Sequence, residues 1–161
     1  MEERNPVYRS CVLLVKDIEK SKQFYNTVLG QKIVMDFGRN VSFEDGLAIW
    51  EKDYALNLIF QEKKPEIKVG TNNVEIYFET ENLDDLYKNL TGKVRFIHSI
   101  MEHSWGQRAF RVYDPDDHII EFAESMENVV LRLYNQDLSV EEIAKKSMMP
   151  MEFIKLVLEK Q

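Results

Sequence analysis

The chain has 161 residues, 44% of them apolar and 30% charged, which is the composition of one ordinary globular domain or of a domain with a short appendage. A net charge of −7 without a basic stripe argues against a nucleic-acid-binding protein, and the longest apolar run, residues 12–15, is far shorter than the ~20 residues that span a bilayer. Because the N-terminal residues are polar, unlike a signal peptide, and the single Cys11 cannot form an internal disulfide, we expect a cytoplasmic protein with no nucleic-acid or membrane partner.

The first half of the chain is predicted to contain a strand, a helix and then several short strands. Residues 8–15 form an apolar run of β type, and Asp17 follows as a candidate N-cap. Apolar residues at helical spacing continue from there to Gly30, which stands where a glycine ends a helix. The charged tract 61–71 contains a proline and a glycine and is predicted to be a linker. The strands predicted between the helix and this linker cover residues 32–37, 41–43, 47–51 and 55–60.

The second half repeats this order, with a predicted strand over residues 74–80 and a helix that begins after Asn82. An offset of 65 residues pairs Asp17 with Asn82 and Ser10 with Glu75. We therefore predict an α+β fold of two βαβββ modules, in which each sheet is covered by its own helix and the two sheets meet as a curved trough. The remaining strands are predicted over residues 94–100, 108–113 and 119–123.

From residue 125 onward the sequence has helical character. Ser139 with Glu142 forms a capping-box pattern, and Pro150 suits the first position of a helix. Because the last helix has few basic residues to contact phosphates, we expect these helices to pack on the domain or on a second subunit rather than on DNA. We assign residues 1–125 to the main domain and 126–161 to a helical C-terminal extension. Its helices are predicted over residues 126–134, 139–146 and 150–160.

Two separated motifs, one in each half, resemble those of a known family. They are Val15-Lys16-Asp17-Ile18-Glu19-Lys20-Ser21 with Phe24-Tyr25 and Leu29-Gly30, and Trp105-Gly106 with Phe110-Arg111-Val112-Tyr113-Asp114-Pro115-Asp116 and Ile120-Glu121-Phe122. Over residues 7–124 the chain resembles the vicinal oxygen chelate superfamily, which includes glyoxalase I, extradiol dioxygenases, and fosfomycin- and bleomycin-resistance proteins. The resemblance implies modules over 7–61 and 72–124 around a U-shaped cavity, a small-molecule ligand and a homodimer. It does not specify the reaction, because this fold hosts several chemistries.

The resemblance also implies a ligand set for a divalent metal. Glyoxalase-like members take one metal ligand from each of the first, fourth, fifth and eighth strands, usually a histidine or a carboxylate. The matching positions here are Ser10, Asn57, Glu75 and Glu121. Glu75 and Glu121 are therefore the candidate catalytic residues and metal ligands, with Asn57 a weak third, for Mn, Ni, Zn, Fe or Mg. Alternatively the metal is lost, and the two carboxylates form a binding or acid/base pair in which repulsion raises one pKa.

Alternation of side chains along a strand separates the helix-facing side of each sheet from the side that would line the cavity. Burying carboxylates under the helix would be unfavourable, so Glu75, Tyr77 and Glu79 are expected on the cavity side. Ile76 and Phe78 are then expected in the core.

The same alternation applies to the first strand and to the aromatic residues. Cys11 falls on the core side, so an inert buried thiol is expected, and Ser10 falls on the cavity side. Trp50 and Tyr77 are predicted to line the pocket, with Ser10 and Asn57 also contacting the ligand.

Two histidines and two arginines lie near the later strands. His98 and His103 are five residues apart and would face opposite sides of one continuous strand, so surface or loop positions are expected, with His103 a reserve ligand if a metal is present. Arg108 and Arg111 also face opposite sides of their strand, and a solvated edge is expected for them; alternatively, one binds a substrate carboxylate.

The sequence and the family resemblance leave three alternative functions open. The first is a metal-dependent lyase or isomerase of the glyoxalase type, or a dioxygenase. The second is a metal-free binding or sequestration protein resembling bleomycin-resistance proteins, which the acidic charge and the missing histidine favour slightly. The third is an interaction protein that acts through its helical extension.

Overall fold

The computed structural model describes residues 8–61 and 65–160, so residues 62–64 of the predicted linker lie outside the described residues. The chain forms two compact units. The first unit runs to Thr71 and also includes Asp114–Asp117, and the second unit comprises Asn72–Tyr113 and the residues from His118 onward. Each unit contains one four-stranded mixed sheet, which confirms the predicted α+β class with two βαβββ modules.

The first unit follows the predicted order of a strand, a helix and three more strands. Asp17 caps the first helix by accepting a hydrogen bond from the Lys20 backbone N–H, and a π-helical turn, Gln23–Val28, continues this helix. The elements are β1 (Cys11–Val15), α1 (Ile18–Lys22), β2 (Ile33–Asp36), β3 (Asn40–Phe43), β4 (Leu47–Glu51) and α2 (Lys52–Phe60). The sheet order is β1-β4-β3-β2, with β1 parallel to β4.

Helix α2 replaces the strand that was predicted over residues 55–60, so that prediction is wrong. A short apolar run fits a strand and a buried helix equally well, and here the adjacent Ala55 and Leu56 are buried while Leu58 and Ile59 are exposed. This burial of neighbouring residues is the pattern of a helix face and not of a strand. Asn57 therefore lies on an exposed helical position and not on the fourth strand.

The elements of the second unit are β5 (Glu75–Thr80), α3 (Leu83–Leu90), β6 (Arg95–Glu102), β7 (Arg108–Tyr113), β8 (Ile119–Glu124), α4 (Met126–Tyr134), α5 (Val140–Ser147) and α6 (Met151–Glu159). The sheet has the same order as the first, β5-β8-β7-β6, with β5 parallel to β8. Asn82 caps α3 by accepting a hydrogen bond from the Asp85 N–H.

One face of the second sheet forms an aromatic core with α3, as the alternation predicted for Phe78. Phe110 lies 5.2 Å from the ring of Tyr87 on α3 and 5.2 Å from the ring of Phe122, which stacks on Phe78. Because aromatic pairs at these spacings stabilise beyond their area burial, this cluster holds the sheet on its helix and leaves the other face for polar residues.

In the first unit the alternation holds for most of β1 but not for its first residue. Leu13 and Val15 are buried as predicted, whereas Cys11 is exposed, which corrects the expectation of a buried thiol. Strand parity determines which face a side chain shares, but it does not determine how far the covering elements extend along the strand.

The helices after β8 pack around an apolar cluster of their own. Ser125 caps α4, and the capping box of Ser139 and Glu142 begins α5 as predicted. No helix among the described residues is long and apolar enough to cross a lipid bilayer. The buried members of the cluster are Val129, Val130, Leu133, Ile143, Ile154 and Val157.

Candidate functional site

A row of four polar side chains crosses the second sheet on the face opposite its aromatic core. In the strand register Tyr77 pairs with Glu121, Glu121 with Arg111, and Arg111 with His98, so each strand contributes one residue. Registered neighbours place their side chains on the same face at contact distance. Glu75, two residues before Tyr77 on β5, shares that face.

Arg111 joins the two carboxylates that the sequence singled out. Its Nε donates to Glu75 Oε2 at 2.8 Å, and its Nη2 donates to Glu121 Oε2 at 2.5 Å. Its Nη1 lies 3.4 Å from His98 Nε2. Glu121 is only 5% exposed, whereas Glu75 is exposed. The expected solvated edge position of Arg111 is therefore wrong, since the guanidinium bridges Glu75 and Glu121.

The environments of the two carboxyl groups separate their pKa values. Burial, aided by the neighbouring Glu75, raises the pKa of Glu121 to about 7. The hydrogen bond from Arg111 lowers the pKa of Glu75 below its usual value. Near neutral pH, Glu75 is therefore ionised and Glu121 is close to its midpoint, as expected for two acids that share one site.

His103 lies in the turn after β6, a loop position as expected, and from there it contacts this cluster. Its Nε2 lies 4.0 Å from Glu121 Oε1 and is buried without a hydrogen-bond partner, and its ring stacks on Trp105 with centroids 4.2 Å apart. Burial, and then the charge of Arg111, lower the pKa of His103, so the ring is neutral near pH 7. Because β6 ends at Glu102, the alternation of side chains along that strand does not determine where the His103 ring lies.

Gln107 connects the aromatic part of the site to Tyr77. It accepts from the indole Nε1 of Trp105 at 3.0 Å and donates to the hydroxyl of Tyr77 at 2.9 Å and to the Glu124 backbone oxygen at 2.8 Å. The Tyr77 hydroxyl donates to Glu79 at 2.9 Å, and burial raises the pKa of Tyr77 to about 12. Gln107 was missed from the sequence because an isolated glutamine carries no motif.

Arg108 takes part in a separate ion-pair group. It pairs with Asp84 at 2.7 Å and with Glu124 at 3.3 Å, so the expectation of a solvated edge is wrong for this residue too. The two arginines, which the alternation predicts on opposite sides of their strand, have no carboxylate in common in these pairs.

The other predicted site residues belong to the first unit. Ser10 is exposed just before β1, and Asn57 is exposed on α2. Trp50 is half-buried on β4, 6.5 Å from the ring of Tyr54 on α2, and its indole nitrogen is buried without a partner. Their role in ligand contact stays a prediction.

The first unit offers no counterpart to Glu121. The 65-residue offset makes Val12 the counterpart of Tyr77. Tyr77 pairs with Glu121 in the second sheet, whereas Val12 pairs with Ala48 in the first. The position on the fourth strand that the ligand mapping assigned to Asn57 is thus an apolar residue in the structure.

The residues present do not fit a divalent metal. Both candidate carboxylates bind the guanidinium of Arg111, so a metal would have to displace a cation that already bridges them. Among the described residues, no group of three or more His, Cys, Asp or Glu side chains is arranged to hold a metal ion.

Comparisons with known proteins agree with this fold. The model of the glyoxalase-like domain family matches residues 8–127. The chain is 37% identical to a protein of unknown function from Agrobacterium tumefaciens str. C58, covering 77% of this chain and 98% of that one with a TM-score of 0.70.

Two more distant structures share the fold alone. A glyoxalase/bleomycin resistance protein/dioxygenase from Nocardioides is 20% identical over 75% of this chain and 84% of that chain, with a TM-score of 0.62. A lactoylglutathione lyase from Agrobacterium tumefaciens is 15% identical over 76% of this chain and 96% of that chain, with a TM-score of 0.60.

Proposed function

The chain belongs to the glyoxalase-like domain family of the vicinal oxygen chelate superfamily, and we propose that it binds a small molecule without a metal at the polar face of the second unit. The observation that carries the proposal is the bridge that Arg111 makes to Glu75 and Glu121 at 2.8 and 2.5 Å. A fixed guanidinium supplies the positive charge between the two carboxylates that a divalent cation would supply in a metal-dependent member.

The charges of the cluster favour a ligand that donates hydrogen bonds. Arg111 is already paired with two carboxylates, so an anionic ligand would have to break a partly buried ion pair. Glu121 Oε1 and the unpartnered Nε2 of His103 can instead accept from a hydroxyl or a protonated amine. The exposed ring of Tyr77 and the stacked ring of Trp105 add aromatic surface. The ligand class is therefore a hydroxylated or cationic molecule with an apolar or aromatic body.

A second function, metal-independent acid/base catalysis, is favoured by the pKa of about 7 at Glu121. A carboxyl group that titrates near neutral pH can both give and take a proton under working conditions. Glu121 would exchange that proton with the bound ligand, and the unpartnered Nε2 of His103, 4.0 Å from Glu121 Oε1, would hold the same ligand group by accepting a hydrogen bond. Both functions use the same residues, and turnover of a bound ligand separates them.

The metal question is tested on protein purified without a chelator. We expect less than about a tenth of an equivalent of metal by elemental analysis and no heat of binding with Mn²⁺, Ni²⁺ or Zn²⁺ in calorimetric titrations. Arg111→Met should bind Mn²⁺ more tightly than the wild type, because it frees two carboxylates for a hard cation. Stoichiometric metal in the wild-type protein would contradict the proposal.

The ligand class is tested by NMR with a library of small aromatic amines, phenols and aromatic carboxylates. We expect amines and phenols to shift the indole N–H resonance of Trp105, and Glu121→Gln to weaken their binding about tenfold, because a hydrogen bond to a charged group contributes ~1.5–3 kcal/mol. Glu152→Gln, an exposed position on α6, is the matched control and should bind as the wild type does. A preference for carboxylates would show that the ligand class is wrong.

A further inference from the structure

The turn between β6 and β7 carries two side chains of the site, His103 and Trp105. Two backbone hydrogen bonds close this turn, from the His103 N–H to the Gln107 oxygen at 2.8 Å and from the Gly106 N–H to the His103 oxygen at 2.9 Å. The stacked rings of His103 and Trp105 keep their place only as long as the turn keeps this conformation.

Arg132 on α4 links this turn to the ends of two strands. Its Nη2 donates to the backbone oxygen of Gly106, and its Nη1 donates to Glu102 Oε2, on the last residue of β6, at 3.3 Å. The same guanidinium pairs with Glu124, the last residue of β8, at 2.9 Å. Lys146 on α5 adds a second bond to Glu102, at 2.8 Å. A planar guanidinium can hold several acceptors in one fixed geometry, which a lysine cannot.

Close packing supports the same link. Gly106 is buried with φ of +85°, and a Cβ added there would lie 3.3 Å from Lys146 Cε, 3.4 Å from Leu133 Cδ1 and 3.5 Å from Val129 Cγ1. The turn therefore lies directly against α4 and α5, and a glycine meets both the positive φ and the short distance.

We infer that the helical C-terminal extension holds the turn that carries His103 and Trp105, and that Arg132 is the positioning residue, an inference that rests on the proposed function of this site. Most of the extension lies beyond residue 127, where the match to the family domain ends. The helices thus add a support for the site beyond the matched family domain, and the apolar cluster of α4, α5 and α6 packs these helices against one another.

The test uses the full chain without ligand and follows the indole N–H of Trp105 by NMR, assigned with Trp105→Phe, with the indole of Trp50 in the first unit as internal reference. We expect Arg132→Met to shift the Trp105 resonance and leave that of Trp50 in place. Amide exchange at His103 and Gly106 should accelerate about tenfold relative to Ile120 in the central strand, because the charged hydrogen bonds to the turn are lost. A purely structural role would accelerate exchange at all three amides alike.

Three further variants complete the test. Arg132→Lys keeps a positive charge near Glu124 but loses the planar guanidinium that binds several acceptors at once. Amide exchange at Gly106 should therefore be slower in Arg132→Lys than in Arg132→Met, but faster than in the wild type. Glu102→Gln weakens the same link from the β6 side and should produce a smaller shift of the same resonance. Lys155→Met, at an exposed position on α6, should change neither measurement.

An unshifted Trp105 resonance with uniform exchange in Arg132→Met overturns the inference. If Arg132→Met does not fold, Glu102→Gln decides in its place, with the same two outcomes. Because both measurements are made without ligand, they succeed or fail independently of the metal and ligand titrations that test the proposed function.

Discussion

The two units share one topology but differ in the chemistry of one sheet face. In the first unit the registered pair is Val12 and Ala48, and the same face carries Trp50, whose ring contacts Tyr54 of α2. In the second unit the corresponding pair, Tyr77 and Glu121, extends into a polar row with Arg111 and His98. A duplicated backbone therefore places side chains at equivalent positions, and the residue types at those positions decide which unit carries chemistry.

The largest effect is expected when a glutamate is placed at Ala48, the position in the first unit that corresponds to Glu121. The registered neighbours of Ala48 are Val12 and Ser42, so neither strand neighbour is an arginine. Ala48 is 2% exposed, so Ala48→Glu would bury an uncompensated carboxylate and should lower the free energy of unfolding by about 3–5 kcal/mol at pH 8. Urea unfolding measures this change. Ala48→Gln separates size from charge and should be less destabilising. Equal losses in both variants would show that crowding, and not charge, keeps a carboxylate out of the first unit.

The next effect is expected when the cation of the second unit is removed. Arg111→Met leaves Glu121 buried without its partner and should lower the free energy of unfolding by about 2–3 kcal/mol at pH 8, and by less at pH 5, where Glu121 is protonated. The control in the first unit is Arg39→Met. Arg39 is largely exposed, pairs with Glu51 at 3.4 Å and lies 5.1 Å from the ring centroid of Tyr54, so its loss should change stability by less than about 1 kcal/mol. If Arg111→Met and Arg39→Met lowered the free energy of unfolding by similar amounts, the ion pairs of the two units would not differ in strength.

A smaller effect is expected from the pH dependence of Glu121 alone. Its folded-state pKa of about 7 lies above the usual 4.5, so the folded protein binds more protons than the unfolded chain between these values. Stability should therefore fall as pH rises through this window, by about 1–2 kcal/mol. The lowered pKa of Glu75 acts in the opposite direction and at lower pH, since the stability it contributes is lost as pH falls.

Glu121→Gln isolates this contribution. Its unfolding free energy, measured at intervals from pH 5 to pH 8, should lack the fall seen in the wild type, whereas Glu152→Gln should retain it. If the wild type shows no fall that depends on Glu121, the carboxyl group is not poised near neutrality, and the acid/base function loses its support.

Much of the fold could be predicted from local patterns. Asp17 and Asn82 cap their helices as predicted, and the alternation in β5 placed Phe78 in the core and Glu75 on the opposite face. These patterns involve residues close in the chain, where spacing alone decides which side chains share a face. The strand predicted over residues 55–60 is a helix because a short apolar run has no decisive period, and packing of Ala55 and Leu56 settles it.

The sequence by itself determined the duplicated α+β architecture and the family, and it predicted the two carboxylates Glu75 and Glu121 as site residues. Only the tertiary structure decided what lies between them, because the pairing of β7 with β8 places Arg111 beside Glu121 and the turn after β6 brings His103 to the same cluster. Residues 10 or more positions apart meet through strand register, and a single shift in register changes which of them meet.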